Sequence, residues 1–147
     1  MIAWRLCRRR YADLSGEGAR LLGGRWNSPG RPVVYLAEHP ALAALELRVH
    51  LDLPFALIPA DFVLMRVAVP DTTIAPDTPA PAATVAAGNS WLTGAQSAAL
   101  RVPSVLVPHS WNVLLNPRHP VATQAEILEI EPFGFDPRMW RPLATEG

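Results

Sequence analysis

The chain has no lysine: all 13 basic residues among its 147 are arginines. That absence removes a P-loop lysine on nucleotide phosphates, a Schiff-base lysine and a lysine general base. The cation that remains suits bidentate grip on phosphate or carboxylate, although a genome rich in G and C would produce the same bias without a chemical cause. Cysteine is nearly absent as well. Cys7 alone permits neither an intrachain disulfide nor a cysteine zinc cluster, and it fits a reducing compartment. No run of about 18 apolar residues occurs, and MIAWRLCRRR lacks an apolar stretch of signal-peptide length. These absences predict a soluble cytoplasmic protein with no membrane association. Formal net charge is zero, so any contact with nucleic acid would have to come from a local patch.

Half of the residues are apolar, which predicts one compact domain over 1–147 that buries roughly 70% of the surface of its unfolded chain. IAWRLCR reads as a strand with Ile2, Trp4 and Leu6 on one face and Ala3, Arg5 and Cys7 on the other. The run Arg8-Arg9-Arg10 that follows reads as a solvated edge. Gly16-Glu17-Gly18 superficially matches the dinucleotide fingerprint, but Leu21 stands at the third glycine position and no buried strand precedes it. GGRWNSPG is turn chemistry, so Arg25 belongs to a surface loop. PVVYLA and FVLMRVAVP are strands by β-branched and aromatic content. Between them a helix begins at Glu38-His39-Pro40 and runs through ALAALELRVHL, proline being tolerated in its first turn.

Leu42, Leu45 and Val49 define the predicted inward stripe of that helix, and Glu46 falls on or beside it. A carboxylate so placed is either paired, with His50 or an arginine, or lines a cleft, because an unpaired buried charge is expensive. PDTTIAPDTPAPAATVAAGNSW reads as a loop or extended segment, Trp91 to Leu100 as a short helix. RVPSVLVP and WNVLLNP are expected to form a hairpin-like strand pair around Pro108-His109-Ser110, EILEIEP a last strand, and FGFDPRMW an aromatic tail packed on the body. The expected class is α+β, mostly antiparallel strands with few helices.

Polar residues on otherwise apolar elements are Arg5, Arg25, Tyr35, Glu46, Ser104 and Asn116. If they converge, they combine guanidinium groups for a pyrophosphate, an aromatic face for a flat ring and a carboxylate for developing positive charge. Such a set suits a nucleotide with a labile glycosidic bond. No spacing ties His39, His50, His109 or His119 to Ser104 as a triad, and neither G-x-S-x-G, HExxH nor an EF-hand loop is present, so no metal site is expected.

GEGARLLGGRWNSPGRPVVYLAEHPALAALELRVHL, with the later LRVPSVLVPHSWNVLLNP, resembles the RES domain, the toxin half of bacterial RES–Xre toxin–antitoxin pairs. The resemblance covers nearly the whole chain. It implies a fold similar to ADP-ribosyltransferases of the diphtheria-toxin type, with NAD+ as substrate rather than cofactor. The matching motif positions are Arg5 in the opening WR, Arg25 in GGRWN, Tyr35 in VVY, Glu46 in the helix, Ser104 in VPS and Asn116 in LLNP. GNSW departs from the family, where an acidic residue commonly follows the glycine.

The resemblance further implies that Glu46, Arg25 and Ser104 act in catalysis while Arg5, Arg25, Tyr35, Ser104 and Asn116 contribute to NAD+ binding. It implies hydrolysis or phosphorolysis of NAD+, or ADP-ribosylation of a protein. A cognate Xre-type antitoxin is the expected partner, with DNA contacted only through it. Arg48 or the Arg8–Arg10 run would supply a phosphate acceptor with its cation. An RNA-cleaving toxin using a histidine base, and a non-catalytic anion- or partner-binding domain, are the competing expectations.

Overall fold

The computed structural model describes residues 1–70, 72–75 and 81–140. Seven strands form one sheet: β1 (Ile2–Arg8), β2 (Val34–Ala37), β3 (Phe62–Ala68), β4 (Thr72–Ile74), β5 (Ala99–Pro103), β6 (Trp111–Leu115) and β7 (Glu126–Pro132). Their order is β4-β5-β6-β2-β1-β3-β7, and every pairing is antiparallel except β4 with β5. Three helices, α1 (Glu17–Leu22), α2 (Pro40–His50) and α3 (Thr84–Gly94), pack around it. The α+β expectation holds at this level. The joint between β1 and β2 is thin: only Trp4↔Ala37 pair there, against seven residue pairs between β1 and β3. Two half-sheets therefore meet along a short seam, and the cleft described below opens at it.

Alternation on the strands follows the sequence pattern. Ala3 and Cys7 of β1, Val34 and Leu36 of β2, and Val63, Met65 and Val67 of β3 belong to one apolar cluster. Leu6, Ala37 and Phe62 face the other way, against Leu42 and Ala43 of α2. The aromatic tail packs on this second cluster as expected, with Phe135 edge-on to Phe62 at 5.6 Å and to Trp140 at 5.2 Å.

Helix α2 starts where the proline predicts, and His39 caps it, its Nδ1 accepting from the Ala41 N–H at 3.1 Å. The inward stripe differs from expectation. Leu42 and Ala43 are buried and Leu47 packs against them, whereas Leu45 is 36% and Val49 54% exposed. Apolar residues surround this helix, so periodicity alone does not choose its face. The sheet chooses it, because Leu6, Ala37 and Phe62 receive the Leu42–Ala43 side.

The proline-rich segment is also more regular than its composition predicts. It contains β4 and most of α3, with residues 71 and 76–80 outside the described residues. The expected helix over Trp91–Leu100 begins earlier and ends at Gly94, and Ala99 already belongs to β5. Thr84, Gly88 and Trp91, at helical spacing, form the buried side of α3. Likewise β5 stops at Pro103. Ser104 Oγ accepts from the N–H groups of Leu106 (3.1 Å) and Val107 (3.3 Å), a local side-chain bond pattern that takes this backbone out of the ladder.

One network fixes the glycine-rich loop. Gly24 and Asn27 bridge through Gly24 N–H to Asn27 O at 3.0 Å, leaving Arg25 and Trp26 at the turn. Trp26 is buried beneath it, 5% exposed, and Asn27 is 1% exposed. Asn27 Nδ2 donates to the carbonyls of Ala19 (2.9 Å) and Arg31 (3.0 Å). The Tyr35 hydroxyl donates to Asn27 Oδ1 at 2.6 Å and accepts from the Trp26 N–H at 2.9 Å. Each buried polar group of the loop thus finds a partner, as burial requires. A Cβ on Gly24 would lie 2.7 Å from the Tyr35 hydroxyl, and one on Gly88 would lie 1.7 Å from the Trp26 carbonyl oxygen. These two glycines let strand β2 and helix α3 close on the loop from either side.

Tyr35→Phe removes the hydroxyl and leaves the Trp26 N–H and Asn27 Oδ1 without it, an expected loss of about 1–3 kcal/mol. Thermal melting should register it at about 2–4 °C per kcal/mol for a chain of this size. Burial, outweighing the Trp26 N–H bond, pushes the Tyr35 phenol from 10.0 up to about 12. Its folded value exceeds its unfolded one, so this contribution to stability is intact below about pH 10 and is lost as pH rises towards about 12. Denaturant melts across that window should fall more shallowly for Tyr35→Phe than for wild type.

Gly88→Ala tests the other side of the loop. It should lower the melting temperature by several degrees, an overpacking cost of about 1–3 kcal/mol. Gly94→Ala, with nothing within 4 Å of the added carbon, should leave it unchanged or raise it.

Candidate active site

A cleft of about 1040 Å³ lies at the seam. Its residues come from β1 (Trp4, Arg5), the α1–β2 segment (Gly24, Arg25), β2 (Tyr35, Ala37), α2 (Glu46, His50) and β6 (Asn112). Tyr35 pairs with Leu114 and Ala37 with Asn112 across β2 and β6, so these four side chains share one face of the sheet. All four line the cleft, mostly apolar with a few polar groups, in the manner of small-molecule sites.

The carboxylate of Glu46 is held at one oxygen. Oε1 accepts from Ser104 Oγ at 2.9 Å and from Asn112 Nδ2 at 3.0 Å. No donor among the described residues reaches Oε2. The donors stand on the β5–β6 loop and on β6, so α2 and the sheet jointly aim the group. A side chain from His50, the alternative partner at i+4, does not hold it; His50 borders the cleft without a hydrogen bond to Glu46 among the described residues.

Ser104 has one proton to donate and two lone pairs. The proton goes to Glu46, and the lone pairs take the Leu106 and Val107 N–H groups. The hydroxyl is therefore satisfied within the protein, and Ser104 stands behind the carboxylate, outside the residues that line the cleft.

The arginines divide by use. Arg25 is exposed at the tip of its turn, and no acceptor among the described residues holds its guanidinium. Arg5 lines the cleft with Nη1 donating to the Asp13 carbonyl at 3.1 Å, and its other N–H groups have no acceptor among the described residues. Arg10 also borders the cleft, stacked over Tyr11 at 4.8 Å. Arg8 is engaged by Asp61 at 2.8 Å. Arg48 lies over the Trp140 ring at 3.9 Å and donates to the Met139 and Leu51 carbonyls, so it anchors the tail.

Five of the six residues singled out from sequence thus gather at or directly behind the cleft. Asn116 does not. It is 4% exposed beyond the end of β6, where Nδ2 donates to the Leu92 carbonyl at 3.4 Å and Oδ1 accepts from the Arg118 N–H at 3.1 Å. Sequence reasoning missed Asn112, a polar residue inside the same apolar strand. It also missed Asn27, whose amide organises the arginine loop. Cys7 borders the cleft, but burial pushes its thiol up, so it stays protonated and weakly nucleophilic near neutral pH. No group of three or more His, Cys, Asp or Glu residues able to hold a metal occurs among the described residues, and no helix there is long and apolar enough to cross a membrane.

The RES domain model matches residues 2–136. A protein named Toxin Res from Pseudomonas putida is 40% identical over 148 residues, covering 95% of this chain and all of the relative. A protein named Prs ADP-ribosylating toxin from Sphingobium sp. is 37% identical over 88% of each chain. Among solved structures, a chain of the M. tuberculosis MbcT–MbcA toxin–antitoxin complex matches with a TM-score of 0.69 at 18% identity, covering 95% of this chain and 86% of that one. That likeness shows a shared fold. With the family match spanning nearly all of the sequence and the two long motifs lying around one cleft, the chain belongs to the RES domain family.

Proposed function

We propose that the protein is the toxin of a toxin–antitoxin pair and that it consumes NAD+ by breaking the nicotinamide–ribose bond. The observation that carries this reading is the Glu46 carboxylate, fixed at one oxygen and free at the other, beside arginines in a largely apolar cleft. The toxin names of its relatives support the biological role. An antiparallel sheet opened at one seam accords with an ADP-ribosyltransferase-like fold, and a partner of the Xre type is the expected antitoxin. Cytoplasmic NAD+ is the expected substrate pool.

In this mechanism Arg5 and Arg25 hold the pyrophosphate and the Tyr35 ring packs against the nicotinamide riboside. The C1′–N bond breaks with its electron pair going to the pyridine nitrogen, so nicotinamide leaves neutral and needs no strong acid. Positive charge grows on the ribose carbon and ring oxygen. A carboxylate already oriented attracts that state more than the ground state and lowers the barrier. Water then adds at C1′ and loses a proton, giving ADP-ribose; phosphate in its place gives ADP-ribose 1″-phosphate.

A protein side chain as acceptor is the second reading, favoured by the name of the Sphingobium relative. An RNA-cleaving reading needs a histidine base. His39 and His119 are occupied as helix caps, each accepting a backbone N–H through Nδ1, and His50 alone borders the cleft among the described residues. This favours glycosidic chemistry at Glu46.

The test is proton NMR or mass spectrometry of NAD+ incubated with the purified protein, with and without inorganic phosphate. Nicotinamide release is expected, and the ribosyl product names the acceptor. Glu46→Gln should lower kcat by about a hundredfold or more. Arg25→Ala should raise KM for NAD+ about tenfold, and Ser104→Ala should lower kcat about tenfold with KM little changed. Nicotinamide release undiminished in Glu46→Gln removes the carboxylate from the chemistry.

A further inference from the structure

Asn112 stands where the strand, the carboxylate and the cleft meet. On β6 it pairs with Ala37 of β2 on one side and Val102 of β5 on the other, so neighbouring strands fix its backbone. Its side chain is half-buried and borders the cleft. The amide nitrogen of Asn112 faces Glu46 Oε1 at 3.0 Å and donates to it. The orientation of the amide follows: its oxygen points away from Glu46. One N–H is engaged, and no other protein partner of this side chain occurs among the described residues. Ser104, by contrast, has its hydroxyl fully satisfied internally.

We infer that Asn112 contacts the substrate as well as Glu46, its Oδ1 accepting a hydrogen bond from a donor on the nicotinamide riboside half. This rests on the reading of the cleft as the NAD+-cleaving site. The donor chemistry is shared by the carboxamide N–H and the ribose 2′-hydroxyl. Either lies within one residue's reach of a carboxylate set beside C1′, and the side chain that steadies the carboxylate also fixes the group to be cleaved. Asn112 is therefore assigned to specificity: it selects a ligand that carries a donor next to the scissile bond.

The experiment compares wild type and Asn112→Ala on three substrates: NAD+, its 3-acetylpyridine analogue, which has no amide N–H, and its analogue lacking the 2′-hydroxyl of the nicotinamide ribose. The readout is the wild-type to variant ratio of kcat/KM for release of the pyridine base. That ratio should be about tenfold to a hundredfold for NAD+ and should shrink several-fold for the one analogue that lacks the contacted donor. The analogue that restores near-parity identifies the donor. Asn112→Ser, which keeps a small polar group, serves as a second variant, and thermal melting confirms that both fold.

Equal ratios for all three substrates would overturn the contact and leave Asn112 acting only through Glu46. Wild-type kinetics in Asn112→Ala would overturn it outright. If wild type releases nicotinamide from NAD+ while the variants behave in either of those ways, this inference alone falls. No release by wild type under any condition takes down the reading of the cleft and this inference with it.

Discussion

A glutamate side chain on a helix beside an apolar cleft is held in one orientation only where the fold supplies hydrogen-bond donors for its oxygens. In this protein two donors meet the demand at Oε1. They come from different places in the chain, and much of the architecture serves to bring them there. Strand β2 leads directly through Glu38 and His39 into α2, so the position of Glu46 is tied to that of β2. Asn112 is opposite Ala37, the last residue of β2. Glu38 then grips the first residue of β6: Oε1 accepts from the Trp111 N–H at 3.0 Å, and Oε2 accepts from Arg101 at 3.3 Å. One short segment therefore sets the register of β6 and the start of α2 together.

The other bank of the cleft solves a different problem. A turn that presents an exposed arginine leaves its backbone with few ladder partners. Asn27 and Tyr35 supply them from below, and the absence of side chains at Gly24 and Gly88 lets β2 and α3 pack close against the loop. Trp26 adds apolar anchorage by joining the cluster that holds Trp91, Leu100, Val102 and Leu114. The tryptophan beside Arg25 thus fixes the loop while the arginine remains exposed.

Much of this was legible in the sequence because strands with period-two alternation and a proline-started helix announce themselves locally. Ile2–Arg8 matches its predicted bounds for that reason, and Glu126–Pro132 matches its own without a clean alternation. The face of α2 was not legible. With leucine, alanine or valine on every side, its orientation depends on partners distant in sequence, and Leu45 and Val49 turn outward. Helix α3 was hidden for a related reason: its buried side rests on a glycine, whose role appears only when the Trp26 backbone is known to touch it. Among the site residues, Arg25, Tyr35 and Glu46 stood out as polar or aromatic groups in motifs. Asn116 stood out by its LLNP motif, whereas nothing in the sequence marked Asn112. They separate in the structure because β6 ends at Leu115, which leaves Asn112 in the ladder beside Glu46 and Asn116 beyond it.

The all-arginine composition gains a physical meaning from the same geometry. Arg48 over Trp140 and Arg101 over Trp111 use a flat cation that stacks and still donates in its own plane, which an ammonium does not reproduce. Those guanidinium groups belong to the scaffold. Arg25 differs, being presented to solvent on a rigid turn, and Arg5 is only partly engaged. On the proposed reading of the cleft, two kinds of group divide the work. A long exposed cation gains its partner when an anion arrives, so its energy goes chiefly into binding. A carboxylate oriented before the substrate enters reorganises little as charge develops, so its energy goes chiefly into the transition state.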